Sequence, residues 1–361
     1  MRNIKKLCNV LSLHFNFKKG EIKCFSQIIF AMLKVRTVNL VELSQGIGGN
    51  AKLKSKYRRL QRFISGLKAN DSDIGKFVFS VFGEVGSKFY LALDRTNWKF
   101  GKANINILTL SMVYRYSSLP LLWKMLNKRG NSNTNERIEL LKKYIDNFGK
   151  DNIGGILADR EFIGDKWFKY LMENNIPFYI RLKSSMKISL NKVQFKLSSI
   201  VPLLKDNETR TFKNIKLSGR FLNLTIGINS QNELMFVVTN NETENAITVY
   251  LKRWNIETLF GFLKTKGFNF EDTHITKLER VSNLFFLLSV AFAWCTKIGE
   301  YQNNIDPIKI KKHKRKEISI FRYGLDFIRE KLLNPVEYGA KKIISICIKL
   351  LSPNMKPLGS Y

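Results

Sequence analysis

Between residues 89 and 182 the apolar runs change their spacing midway, and that change constrains the fold more than any other feature of the chain. Phe89–Leu93, Ile105–Tyr114 and Leu119–Met125 are three strand-like runs in direct succession, with a turn over Trp98–Ala103 after the first. Helical and strand-like runs then alternate: Glu136–Phe148 is helical, capped by Thr134 or Asn135. Ile153–Ala158 is a short apolar strand, Lys166–Glu173 is helical, and Pro177–Leu182 is a strand. The order β-β-β-α-β-α-β joins an antiparallel meander to a βαβ unit and predicts an α/β fold built on a mixed sheet. Asp94 ends the first strand and Asp159 the fourth. In this order those strands commonly lie side by side, so the two carboxylates can converge. Carboxylates that close repel one another, and a pKa rises, unless cations sit between them.

Residues 184–239 break the alternation. Thr209–Leu217, Phe221–Ile226 and Leu234–Val238, split by Asn, Gly and Ser, predict a small β subdomain. A helix follows directly and carries Tyr250, Arg253, Glu257 and Lys264. At ~100° per residue, Arg253, Lys264 and Glu257 sit ~300°, ~320° and ~340° around the axis from Tyr250, one line along ~21 Å. Leu251, Ile256, Leu259, Phe260 and Leu263 flank that line as anchors. A phenol, a guanidinium, a carboxylate and an ammonium in a row suit a metal-and-phosphate surface. The same Arg253/Glu257 spacing also fits an ordinary salt-bridged surface helix. Glu257 arriving over the sheet beside Asp94 and Asp159 would complete an all-oxygen site, which favours Mg²⁺ or Mn²⁺. Helices over 277–298 and 319–333 follow.

The charge points to a partner. The 361 residues hold 61 Lys and Arg against 29 Asp and Glu, a net +32, and a polyanion such as nucleic acid is the natural counterpart. An AT-rich genome that favours lysine codons would inflate the same number. Residues 1–70 carry 15 basic and 2 acidic residues, and residues 301–361 carry 13 and 5, including Lys309, Lys311, Lys312, Lys314, Arg315 and Lys316. Residues 25–66 read as short helices. In the last of them Leu53, Tyr57, Leu60 and Ile64 form an apolar stripe, with Lys52, Lys56 and Arg59 one position earlier and Lys54, Arg58 and Arg62 beside them. With the turn Gly46–Gly49 in front, this is a helix-turn-helix-like presentation of a basic helix, or else a solvated charged face.

Other chemistries lack support. Cys8, Cys24, Cys295 and Cys347 are scattered and form no CxxC pair, so they read as reduced thiols. His14, His274 and His313 are too few for a histidine metal cage. The glycines at 46–49 follow no strand, and 83–88 lacks P-loop spacing, so no nucleotide cofactor is expected. Met1–Lys6 is basic, but Leu7–Phe15 is interrupted by Asn9 and His14, which predicts no secretory leader. Val281–Ile298 contains Ser282, Asn283, Ser289 and Thr296 and reads as a buried helix, not a membrane span.

Asp94-Arg-Thr-Asn-Trp98, Asp159-Arg-Glu-Phe162 and Tyr250-Leu-Lys-Arg253-Trp-Asn-Ile-Glu257 with Lys264 resemble the DDE transposases of bacterial insertion sequences. The match is to the group with the Y-x2-R-x3-E-x6-K signature, insertion-sequence family four. Gly267–His274 and Phe321–Gly324 look like that family's downstream sequence, and the resemblance covers roughly 85–330. It implies a ribonuclease-H-like mixed sheet flanked by helices, with a β-rich insertion before the glutamate helix and a helical N-terminal DNA-binding region. Five regions follow: 1–84, helical, basic and DNA-binding; 85–183, the first part of the catalytic core; 184–240, the β insertion; 241–300, the second part with the Glu257 helix; and 301–361, basic and helical.

The resemblance further implies that Asp94, Asp159 and Glu257 are catalytic and hold two Mg²⁺, for which Mn²⁺ can substitute. Tyr250, Arg253 and Lys264 would contact DNA phosphates, and Lys52, Lys56, Arg59 and Arg62 are expected on DNA from the N-terminal side. The implied reaction is cut-and-paste transposition through a hairpin intermediate, by a homodimer in a synaptic complex, in the bacterial cytoplasm at the nucleoid. The implied partners are double-stranded element ends and target DNA, with no membrane. A non-catalytic or domesticated DNA-binding protein and a nuclease that does not join ends are the alternatives. Relatives stack a flipped base on an aromatic of the β insertion, typically tryptophan. Here Trp98, Trp123, Trp167, Trp254 and Trp294 all lie outside it, leaving Phe212, Phe221 or Phe236. Trp254, Arg95, Arg160 and Arg181 remain open between DNA contact and packing or ion pairing.

Overall fold

The computed structural model describes residues 2–84, 86–115, 117–203, 209–228, 233–241, 245–312, 315–336 and 338–353. His313 and Lys314 of the basic run lie outside these described residues. Five helices come first: α1 (Arg2–Leu11), α2 (Lys19–Val35), α3 (Leu40–Gly46), α4 (Leu53–Gly66) and α5 (Asp71–Phe82). Strands β1 (Phe89–Phe100), β2 (Ala103–Tyr114) and β3 (Ser117–Met125) form the meander. Then α6 (Thr134–Phe148), β4 (Ile153–Ala158), α7 (Asp165–Glu173) and β5 (Phe178–Arg181) alternate.

The insertion contributes β6 (Lys187–Leu190), β7 (Val193–Lys196), β8 (Arg210–Leu217), β9 (Arg220–Ile228) and β10 (Leu234–Thr239). Helices α8 (Ala246–Leu251), α9 (Trp254–Leu263), α10 (Leu278–Ile305), α11 (Ile320–Leu333) and α12 (Ala340–Lys349) complete the order.

Among the described residues the strands form one ten-stranded sheet in the order β3-β2-β1-β4-β5-β10-β9-β8-β6-β7. β1 pairs antiparallel with β2 and parallel with β4, and β4 pairs parallel with β5. This is the predicted α/β mixed sheet, with the ribonuclease-H-like succession of a meander followed by parallel strands. The strands at 210–239 do not stand apart as a small subdomain. β10 pairs antiparallel with β5 from Val237↔Arg181 to Thr239↔Tyr179 and prolongs the central sheet.

Three local expectations change. The first strand does not stop at Asp94: β1 runs on to Phe100 and pairs with β2 as far as Phe100↔Ala103, so the turn is Gly101-Lys102. The polar run Asp94–Asn97 concealed this, because the cross-strand ladder with β2 holds it extended without an apolar alternation. The cap of α6 is Asn133, whose Oδ1 accepts from the Glu136 N–H at 2.9 Å while Glu136 Oε2 accepts from the Asn133 N–H at 2.6 Å.

The helix of the Tyr250 line is two helices. Lys252 and Arg253 keep right-handed helical angles, but their N–H groups bond three residues back, to Val249 and Tyr250 carbonyls. That tightening rotates α9 relative to α8, and no Gly or Pro advertises it.

α10 is the centre of the helical half. It is long and apolar enough to cross a membrane by composition, yet 94% of its apolar window is buried inside the fold. Asn283 in α10 donates to the Ile64 and Leu67 carbonyls at 2.9 and 2.8 Å, fixing the C-terminal end of α4. α10 and α11 meet through two glycines. A Cβ on Gly299 would stand 1.9 Å from the Ile320 carbonyl oxygen, and one on Gly324 1.9 Å from that of Cys295.

Candidate active site

The site lies where the parallel ladder ends. Leu93↔Ala158 is the last β1–β4 pair, so the next residues, Asp94 and Asp159, emerge side by side at the same edge. The break between α8 and α9 lies over this edge and delivers Tyr250, Arg253 and Glu257. Arg253, buried to 6% exposure, joins them. Its Nη1 donates to Asp94 Oδ2 at 2.9 Å, its Nη2 to Glu257 Oε1, and its Nε to the Tyr250 hydroxyl at 3.1 Å. The Tyr250 hydroxyl donates onward to Asp159 Oδ1 at 3.3 Å. Three carboxylates from three distant segments are thus bound into one network by a guanidinium and a phenol.

The electrostatics follow from burial. Desolvation pushes the Asp94 carboxyl up to about 6, against the pull of Arg253 and of the Arg95 N–H, with Glu161 and Glu257 adding repulsion. Burial also pushes the Tyr250 phenol up to about 12, so it is a donor at neutral pH. Burial disfavours the Arg253 charge, but Tyr250, Asp94, Glu257 and Asp159 outweigh it and hold the guanidinium above its ordinary value.

Among the described residues no three His, Cys, Asp or Glu side chains are gathered closely enough to hold a metal by themselves. Arg253 stands among them as the cationic partner. The donor set nonetheless fits a hard divalent ion. All three donors are carboxylate oxygens, and two of them, on Asp94 and Glu257, already share one cation, the Arg253 guanidinium.

A second network supports the first from behind. Arg95, next to Asp94, donates to both Glu161 oxygens, from Nε at 3.3 Å and Nη2 at 3.2 Å. The buried Arg137 of α6 donates to the Glu161 carbonyl at 2.9 Å and the Ser132 carbonyl at 2.6 Å. Arg95 is therefore ion-paired across the two aspartate segments. Glu161 lies inside the Asp159–Phe162 motif without signalling its role, and nothing in the sequence pattern marked Arg137.

The remaining expected residues are dispersed. Lys264 caps α9, and its Nζ reaches Glu271 at 2.6 Å and the Asn97 carbonyl at 3.3 Å, over the Trp98 ring, with no contact to the three carboxylates. Arg181 pairs with Glu233 at 3.7 Å, and Arg160 is exposed. On α4 and its cap, Lys52 and Arg62 are exposed with Lys54 and Arg58, whereas Lys56 and Arg59 are half-buried. Arg59 turns toward Cys24 of α2, and its Nε is buried without a hydrogen-bond partner. Trp254 is 58% exposed at the helix break; of the insertion aromatics Phe221 is 65% exposed, Phe212 is half-buried and Phe236 is buried.

A mixed sheet that presents two aspartates at adjacent strand ends, under a helix carrying a glutamate, defines a ribonuclease-H-like enzyme class. Residues 86–295 match the transposase DDE domain, and the chain belongs to that family. Such domains depend on divalent metal. No curated protein matches this chain in sequence. Among solved structures it is similar to a piggyBac transposase, determined by cryo-electron microscopy as a synaptic complex with hairpin DNA. The identity is 10%, the TM-score 0.47, and the alignment covers 100% of this chain and 84% of that one.

Proposed function

We propose that this DDE transposase is the cut-and-paste enzyme of an insertion sequence of the Y-x2-R-x3-E-x6-K group, acting as a homodimer on double-stranded DNA in the bacterial cytoplasm. The single observation that carries the reading is the convergence of Asp94, Asp159 and Glu257 through Tyr250 and Arg253. Those three acids would hold two Mg²⁺, or Mn²⁺ in its place. When bound, such a pair stabilises the attacking and leaving oxygens of an in-line displacement at phosphorus.

The protein's own groups do the rest. Arg253, no longer needed as counter-charge once cations neutralise the acids, turns its donors to a DNA phosphate. Tyr250 has one hydroxyl proton, which it turns from Asp159 to a phosphate of the strand when Asp159 takes its place among the ligands. Lys264, set back against Trp98, meets the next phosphates along β1. Every chemical step is an attack at phosphorus: water frees a 3′-OH, that hydroxyl closes a hairpin on the opposite strand, and after reopening it attacks target DNA. Phe221, the exposed insertion aromatic, is the residue we assign to stack the flipped base during hairpin closure.

In this scheme 1–84 is the helical, basic DNA-binding region and 301–361 is the basic, helical C-terminal region. Residues 85–183 and 241–300 are the two parts of the core, and 184–240 is the insertion between them.

The test uses duplexes of the element's own ends with Mg²⁺ or Ca²⁺, resolved on denaturing gels. The wild type should give nicks and hairpins with Mg²⁺ and binding alone with Ca²⁺. Glu257→Ala should bind the ends and leave them intact; nicking at the wild-type rate would remove Glu257 from the site. Strand transfer with pre-cut ends separates a transposase from a nuclease that cannot join.

A further inference from the structure

We infer that the groove between α4 and the segment before α10 reads DNA sequence at a fixed distance of about half a helical turn from the cut. The inference rests on the proposed cleavage site at Asp94, and three observations lead to it.

The first is the chemistry of the groove. It encloses about 290 Å³ and is lined from α4 by Tyr57, Gln61 and Ser65 and from the opposite wall by His274, Lys277 and Arg280, with no acidic side chain among its lining residues. Amide, hydroxyl and guanidinium groups are those that hydrogen-bond base edges, and Lys277 adds a phosphate contact. Exposed Arg58 and Arg62 stand beside Tyr57 and Gln61 on α4.

The second is a basic track from the site to the groove. Beyond Leu93, β1 has no β4 partner on its flank. Lys264 lies over that free edge at Asn97, and Lys99 and Lys102 are exposed further along. At the end of β1 the Phe100 ring stacks on His274 at 5.1 Å, which joins the strand directly to the groove wall. Phe100 lies six steps along the strand from Asp94, so at ~3.3 Å per strand residue the groove begins ~20 Å from the carboxylates. At ~3.4 Å per base pair, that span is about six base pairs of duplex.

The third is rigidity. Asn283 of the central helix holds the carbonyls at both Ile64 and Leu67, so α4 is fixed to the same helix that the opposite groove wall enters. Reader and cutter therefore keep one spacing, and the preference should appear as a short block of base pairs, not as a variable-distance site.

The probe is a set of duplexes of the element's end, each with one base pair replaced, bound in Ca²⁺ so that cleavage plays no part. Wild-type binding should drop roughly tenfold for replacements in a block about five to eight base pairs from the nick. Gln61→Ala and Arg280→Ala should each flatten the profile within that block while binding the unaltered end less tightly. Lys99→Ala should weaken all duplexes alike. A block at another distance, or variant profiles that superimpose on the wild type, would overturn the inference. Nicking in Mg²⁺ is read on the same duplexes: a preserved block without nicking removes the cleavage assignment alone, and nicking with a flat block removes the reader alone.

Discussion

Arg253 is the residue on which the site turns, because it counters Asp94 and Glu257 at once while ordering Tyr250. Removing it leaves buried carboxylates without their cation, and Arg253→Ala should lose about 3 kcal/mol of stability. That is the lower part of the range for breaking a buried pair, since Glu257 is partly exposed. Divalent ions would then bind without displacing a guanidinium, so Mg²⁺ should raise the unfolding midpoint of Arg253→Ala more than that of the wild type. Thermal unfolding with and without Mg²⁺ checks both, and equal midpoint shifts would contradict the counter-charge role.

At this scale the sequence was readable where chemistry and spacing coincide. The spacing of Tyr250, Arg253 and Glu257 sets them together, and they meet in space. Lys264 shares α9 with Arg253 and Glu257 but stands about two turns further along the axis, at a C-cap whose backbone (φ −81°, ψ −122°) leaves the helix, so its ammonium meets Glu271 and Trp98 instead. Arg59, expected on DNA with the rest of the basic face, is half-buried, with its Nε out of solvent.

Among the elements, β4 and α10 show what apolar patterning can deliver, since Ile153–Ala158 was delimited from sequence and the buried core of α10 was recognised despite its length. The far half of β1 was not readable, because its extension depends on β2 and not on its own residues. β6 and β7 are equally silent in the sequence, as four-residue strands without clear alternation leave little signal.

Two predictions belong here. Gly324→Ala forces α11 away from the Cys295 carbonyl and should cost about 1–3 kcal/mol, read as a lower urea midpoint at unchanged slope. Arg137→Met keeps the stem but frees the Glu161 carbonyl, loosening the segment after Asp159. Cleavage should slow by about tenfold or more with end binding nearly unchanged, the mark of a misplaced group and not of lost affinity. Parallel losses in both would instead indicate general unfolding.

On the scale of the whole molecule, the +32 charge sets the terms of the proposed DNA association. Binding should weaken steeply with salt, and the double variant Arg58→Ala/Arg62→Ala should lower the slope of log K against log salt by about 2. An unchanged slope would place those arginines off the DNA.

The most direct test of the central claim is a count of bound Mn²⁺ by electron paramagnetic resonance, with an uncleavable element end in place. Two ions per chain in the wild type, and a clear loss in Asp94→Asn, Asp159→Asn and Glu257→Gln alike, are the expected results. Undiminished Mn²⁺ uptake in all three variants would show that these carboxylates do not share a metal site.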